Sequence, residues 1–177
     1  MKLHVIGDSI TYLVAKHGGV AMFAEHGIDA TLDGSPGKRA DDLLRQQAWR
    51  AACDTAPDVL VYALGANDLM GETFKDPDDP PFSKTELAAL TGCLMGQLVY
   101  GGHFAEHTLW VDVTTRTLNG HYNAGARKVN GEMSELCPHF DYGYVEWDEC
   151  HAPTSDLIHQ KLAGSKMWVD AVVAAIT

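Results

Sequence analysis

Residues 58–65 read DVLVYALG. Between Asp58 and Gly65 lies an unbroken apolar run, Val59 to Leu64. A strand with one wet face alternates polar and apolar residues at period two. This run does not alternate, so it reads as a strand buried on both faces, as in a parallel sheet covered by helices.

The segments on either side agree with that reading. LHVIG (3–7) is a second short apolar run, IDATLDG (28–34) alternates at period two, HTLWVDVT (107–114) gives a fourth strand and HFDYGYVEW (139–147) a fifth. Between them lie stretches of helical length. SITYLVAKHGGVAMFAEHG (9–27) is expected to be one helix weakened at Gly18 and Gly19. RADDLLRQQAWRAACD (39–54) places Leu43, Leu44, Ala48, Ala51 and Ala52 on one face. TELAALTGCLMGQLVYGG (85–102) follows SKTE, which offers a capping box. HYNAGARKVNGEMSEL (121–136) and QKLAGSKMWVDAVVAAI (160–176) complete the set, and residues 66–86, rich in proline and acid, read as a loop that serves as a lid or an acidic rim. Strands alternating with helices imply right-handed crossovers and a mostly parallel sheet covered on both faces. No internal repeat and no second domain is visible, so residues 1–177 are expected to form a single domain.

Composition excludes several classes of function. The net charge is -11, and neither nucleic acid nor an anionic membrane is attracted to an acidic surface. The apolar fraction, 46%, fits a chain with a core rather than a disordered one. No apolar run approaches the roughly 18 residues of a membrane span. No basic stretch precedes an apolar one near Met1, so the chain as given is expected in the cytoplasm, and secretion would require a leader removed from it. Cys53, Cys93, Cys137 and Cys150 are scattered and read as free, mostly buried thiols.

In a parallel α/β sheet, ligands bind outside the carboxyl ends of the strands. The exits to search are Gly7-Asp8-Ser9, Gly34 to Arg39, Gly65 to Asp68, Thr114 to Asn123, and Asp148 to His159. Ser9 stands where strand one becomes helix one. It is either a helix cap, a role Asp8 can also fill, or a nucleophile requiring a base held by a third group. Asn67, in LGANDL (64–69), is either the start of a turn or an amide that can donate to a developing oxyanion. Asp156 and His159, in SDLIHQ (155–160), have a spacing at which a carboxylate can orient an imidazole if the segment turns. The plainer reading there is a capping acid and a solvated histidine.

Taken in order, GDSI (7–10), GAND (65–68) and DLIH (156–159), with Gly164 five residues further on, resemble the SGNH hydrolases, also called the GDSL family of esterases and lipases. Ile10 stands where that family has leucine. The remaining block is a glycine after strand two, in DGSPGKRADDLL (33–44), with Gly37 preferred and Gly34 the alternative. The resemblance implies a flavodoxin-like three-layer α/β/α sandwich of about five parallel strands. It also implies roles: Ser9 the nucleophile, His159 the general base, Asp156 its orienting partner, with Ser9, Gly37 and Asn67 forming the oxyanion hole. No GxSxG is present, so the nucleophile elbow of the α/β-hydrolases is not expected.

Rivals exist within the chain. Asp148 and His151, in DECH, repeat the DxxH spacing, but the later pair directly precedes the last helix. His103 and His107 straddle a helix end without HExxH or CxxC, so no metal is expected. Asp8 and Asp68 are read as shaping their loops. Arg39 is either an exposed helix-start arginine or a contact for an anionic substrate group. Trp110, Trp147 and Trp168 are read as packing, and Tyr142 and Tyr144 can face either side of strand five.

The expected activity is ester hydrolysis through an acyl-enzyme, with no cofactor and a small-molecule or glycan ester as partner. A small acyl group such as acetate on a carbohydrate is favoured, because the domain is minimal with few long loops. A lipase or thioesterase is second. Two other classes compete: a binding module of this fold without catalysis, and a flavodoxin-like nucleotide or flavin binder. GDSIT is short and poor in glycine for cradling phosphate. Oligomeric state is not legible.

Overall fold

The computed structural model describes residues 1–42, 54–76, 78, 82–147 and 161–177. At its centre is β3 (Val59–Ala63), every residue of which is buried. Its side chains divide by parity, as strand geometry requires. Leu60 and Tyr62 enter one apolar cluster. Val59, Val61 and Ala63 enter a second on the opposite face.

Beside it run β1 (Lys2–Gly7), β2 (Asp29–Gly34), β4 (His107–Val111) and β5 (Gly143–Val145). They form one sheet in the order β2-β1-β3-β4-β5, and every pairing is parallel. This is the doubly wound order in which the connections leaving β1 and β3 diverge. Helices α1 (Ser9–Lys16), α2 (Gly19–Glu25) and α5 (Leu162–Ile176) cover one face, through Val14, Phe23 and Trp168 among others. The other face is covered by α3 (Lys84–Gly101) and α4 (Gly120–His139), through Leu94, Leu98, Val129 and Met133. The expected three-layer α/β/α sandwich with five parallel strands is therefore present. Trp110, Trp147 and Trp168 lie in the two clusters or against them, as their sequence positions suggested.

Four expectations about elements change. The helix expected over 9–27 is two helices, because Gly18 adopts a left-handed conformation (φ 88°) and stops α1. The fifth strand, expected over 139–147, shrinks to three residues. Helix α4 runs on through His139, and Phe140 and Tyr142 N–H groups return to the Cys137 carbonyl with Asp141 at φ 62°, so HFDYG is a helix cap and not a strand. Strand β4 ends at Val111 and not at residue 114. Within the expected loop 66–86, Met70–Phe74 forms a 3-10 turn, and Ser83 and Glu86 cap α3 reciprocally, as SKTE suggested. The helix expected over 39–54 is helical at residues 40–42 and 54–55, and the rest of it lies outside the described residues.

Candidate active site

Parallel register brings three strand exits level. Gly7 of β1 pairs with Gly34 of β2 and with Ala63 of β3. The sequence therefore leaves the sheet at Asp8, Ser35 and Leu64 on a single edge, at the divergence point where such sheets bind ligands.

At the first exit, the Asp8 side chain accepts the Ile10 N–H at 2.9 Å and is almost fully buried. Asp8 is thus the N-cap of α1. Ser9 is the first helical residue and is half-buried. Of the two capping candidates, the acid takes the role. Gly7 and Gly34 are both required by close approach. A Cβ on Gly7 would collide with the Thr11 hydroxyl, and one on Gly34 with the main-chain nitrogen of Tyr12. The end of β2 is therefore pressed directly against α1.

At the second exit the chain makes a tight turn. The Ser35 N–H donates to the Gly7 carbonyl at 3.1 Å, and the Lys38 N–H donates to the Ser35 carbonyl at 3.1 Å. Pro36 and Gly37 occupy the middle of this turn, with Gly37 at φ 79°. Proline followed by a left-handed glycine is the chemistry of a type II turn. The two glycines weighed for this block therefore differ in their structural need: Gly34 for lack of space, Gly37 for backbone conformation.

At the third exit Gly65 takes φ 120° and turns the chain towards Asn67. The Asn67 amide donates to the Lys38 carbonyl at 3.0 Å. Both carboxylate oxygens of Asp68 accept the Ala40 N–H, at 2.9 and 3.2 Å. The Ala40 carbonyl accepts from Gln97, a buried residue of α3. Burial pushes the Asp68 carboxyl above its ordinary range, opposed by the Ala40 N–H and the Arg39 guanidinium. Arg39 is exposed, its Nε 3.5 Å from the Asn67 carbonyl.

The structure joins Asn67 to the Gly37 turn through Lys38, and places Ser9 at the adjoining exit. Asp8 and Asp68 do shape their loops. Asp156 and His159, and the rival pair Asp148 and His151, lie outside the described residues, as do Cys53 and Cys150. Gly164 is buried in the first turn of α5. Cys93 and Cys137 are free thiols. His103 lies in the turn after α3 beside the rings of Tyr100 and Phe104, and His107 opens β4. Among the described residues no group of three His, Cys, Asp or Glu side chains is placed to hold a metal ion, and no helix is long and apolar enough to cross a membrane. At the exit of β4, Asn130 of α4 holds the Val113 backbone with both ends of its amide, at 2.9 and 2.7 Å. Sequence reasoning missed Lys38 and Gln97 at this turn. The unusual polar residue inside the apolar helix α3 was the one available signal for Gln97.

No protein-family model and no curated protein matches the sequence. Solved structures do match. A catalytic mutant of Axe2, an acetylxylan esterase from Geobacillus stearothermophilus, superposes with a TM-score of 0.76 at 17% identity, covering 99% of this chain and 93% of that one. A second Axe2 variant, described as an acetyl-xylooligosaccharide esterase, gives 0.75 at 18% over the same shares. LAE5, an alpha/beta hydrolase enzyme from the metagenome of Lake Arreo, gives 0.73 at 18%, covering 98% of this chain and 94% of that one. This chain has the fold of these esterases. The exits of β1, β2 and β3 lead to Ser9, Gly37 and Asn67.

Proposed function

We propose that this chain is a serine esterase that hydrolyses carboxylic esters through an acyl-enzyme. The observation that carries this reading is the division of labour at the start of α1. Asp8 caps the helix, and Ser9 follows it at the mouth of the sheet, at an exit level with β3, whose exit leads to an asparagine with its amide locked to the neighbouring turn.

In this mechanism the Ser9 hydroxyl oxygen attacks the ester carbonyl carbon as the His159 imidazole takes the hydroxyl proton, with Asp156 holding the ring and balancing its charge. The carbonyl oxygen becomes an oxyanion. It is received by the main-chain N–H groups of Ser9 and Gly37 and by the Asn67 amide. That amide carries two hydrogens. One is engaged by the Lys38 carbonyl, which fixes the amide plane, and the other is directed to the substrate. Collapse of the tetrahedral intermediate expels the alcohol, which takes the proton from His159. Water then attacks the acyl-serine by the same route in reverse, releasing the carboxylic acid and restoring Ser9. None of these steps requires a cofactor.

The acyl group proposed is acetyl and the alcohol a carbohydrate hydroxyl. The likeness to acetylxylan esterases over nearly the whole chain supports this choice. The test is hydrolysis of p-nitrophenyl esters from acetate to octanoate, and of an acetylated xylo-oligosaccharide. Turnover should be highest on the acetyl substrates and absent in Ser9→Ala and His159→Ala, while His151→Ala keeps most of it. Equal activity in wild type and Ser9→Ala would remove the nucleophile, and a preference for octanoate would move the reading to a lipase.

A further inference from the structure

The turn at Ser35–Lys38 is fastened by more than its main-chain hydrogen bonds. Lysine is among the side chains least often buried, yet that of Lys38 is only 8% exposed. Its ammonium lies 3.5 Å from Oδ1 of Asp33. Asp33 belongs to β2, pairs in register with Ile6 of β1, and immediately precedes the Gly34 that is pressed against α1. The ion pair therefore ties the far end of the turn back to the strand that the turn has just left. The same residue presents its carbonyl to the Asn67 amide. Lys38 thus has its side-chain tip on β2 and its main chain on the proposed oxyanion donor.

We infer that Lys38 is a positioning residue for the oxyanion hole: its ion pair with Asp33 sets the orientation of the Asn67 amide and the placement of the Gly37 N–H. Its kinetic consequence rests on the esterase reading, but its geometric consequence does not. An apolar side chain of similar length would fill the same space, and exchanging a buried ion pair for apolar packing is often neutral for stability. It would not direct the turn, because packing contacts are indifferent to small slides along the strand while a charge pair is not. The Asp33 carboxylate is 37% exposed, so water can solvate it when the ammonium is removed. The clamp is accordingly separable from the fold. It also reaches the centre of the sheet: the buried imidazole of His4 on β1 senses both charges, Asp33 raising and Lys38 lowering its pKa, beneath the larger lowering caused by burial.

The test uses Lys38→Met, Lys38→Arg and the double variant Asp33→Asn/Lys38→Met, which leaves no unpaired charge and so guards against misfolding of the single change. Misplacing a transition-state donor by a fraction of an ångström to an ångström costs about tenfold to a hundredfold in rate. On p-nitrophenyl acetate, kcat should fall by about that factor in Lys38→Met and in the double variant, with KM and melting temperature close to wild type. Lys38→Arg should recover most of the loss. Wild-type kcat in either methionine variant overturns the inference, as does a change confined to KM. A second readout needs no turnover. Hydrogen exchange of the Asn67 side-chain amide, followed by NMR and assigned by its disappearance in Asn67→Ala, should be slow in wild type and faster in Lys38→Met. Unchanged exchange overturns the inference on its own. Faster exchange in a protein that hydrolyses no ester would instead overturn the esterase reading and leave the clamp standing.

Discussion

The exits of β1 and β3 carry the same kind of dipeptide in opposite order: Asp8-Ser9 at one, Asn67-Asp68 at the other. At each exit an acid is consumed by scaffolding while its neighbour faces the proposed chemistry. The acids differ in reach. Asp8 accepts from a residue two positions on and supports its own helix. Asp68 accepts from Ala40, 28 positions earlier, and supports a turn that belongs to another strand. A local acid stabilises an element, whereas a distant one registers two elements against each other. The first should therefore act mainly on stability and the second mainly on rate.

Four experiments probe that contrast. The largest effect is expected from Ser9→Ala, which should lower kcat by at least about a thousandfold and leave the helical circular dichroism and melting temperature nearly unchanged, because the cap is Asp8. A large drop in melting temperature would mean that Ser9 shares the scaffolding and that the division at β1 is wrong. Next, Asn67→Ala should reduce kcat by about a hundredfold to a thousandfold, in line with the loss of one oxyanion donor. The sharper comparison follows. Asp8→Ala should cost about 1 kcal/mol of unfolding free energy, as loss of an N-cap does. Asp68→Ala should slow kcat by a larger factor than Asp8→Ala does for each kcal/mol of stability lost. If both variants fall on one line of rate against stability, the two exits are not different in kind.

The smallest effect concerns pH. Burial raises the Asp68 carboxyl in the folded chain above its ordinary 3.8. The folded protein then holds this proton where the unfolded chain has released it. Its contribution to stability is full below about pH 3.8 and is lost as pH rises through the folded value. Asp68→Asn should lack that dependence. Urea unfolding of both proteins at several pH values between about 3.5 and 6 should show wild type losing ground to the variant as pH increases. A constant difference over that range counts against a raised Asp68.

Much of the fold was legible because it is written in local pattern. The apolar run at 59–64 implied burial on two faces, and the alternation of strands and helices implied the parallel sheet. The misreadings were also local in origin. Gly18 ends a helix through its own backbone conformation, and an aromatic-rich stretch around Phe140 looked like a strand while serving as the cap of α4. Of the candidate site, the sequence placed Ser9, Gly37 and Asn67 at strand exits, where the structure has them, while Asp156 and His159 lie outside the described residues. What the sequence could not supply is pairing across distance. Nothing near Lys38 in the chain announces that its carbonyl will meet Asn67, that its ammonium will lie buried beside Asp33, or that Ala40 will be held from both sides by Asp68 and Gln97. Those contacts exist because the register of β1, β2 and β3 brings three separate turns to one level, and register is a property of the assembled sheet.

Helix α5 rests on α1 and α2, and the Ser165 hydroxyl meets the imidazole of His17 at 2.8 Å. Ser165 has no exposure to solvent. The element that carries the proposed nucleophile is therefore completed by a segment made some 150 residues later in synthesis, a contact between distant parts of the chain of the kind that forms late in folding. Residues 1–70 alone lack the helix against which α1 packs in the folded chain. The helix that carries Ser9 is accordingly seated only once residue 165 has been made.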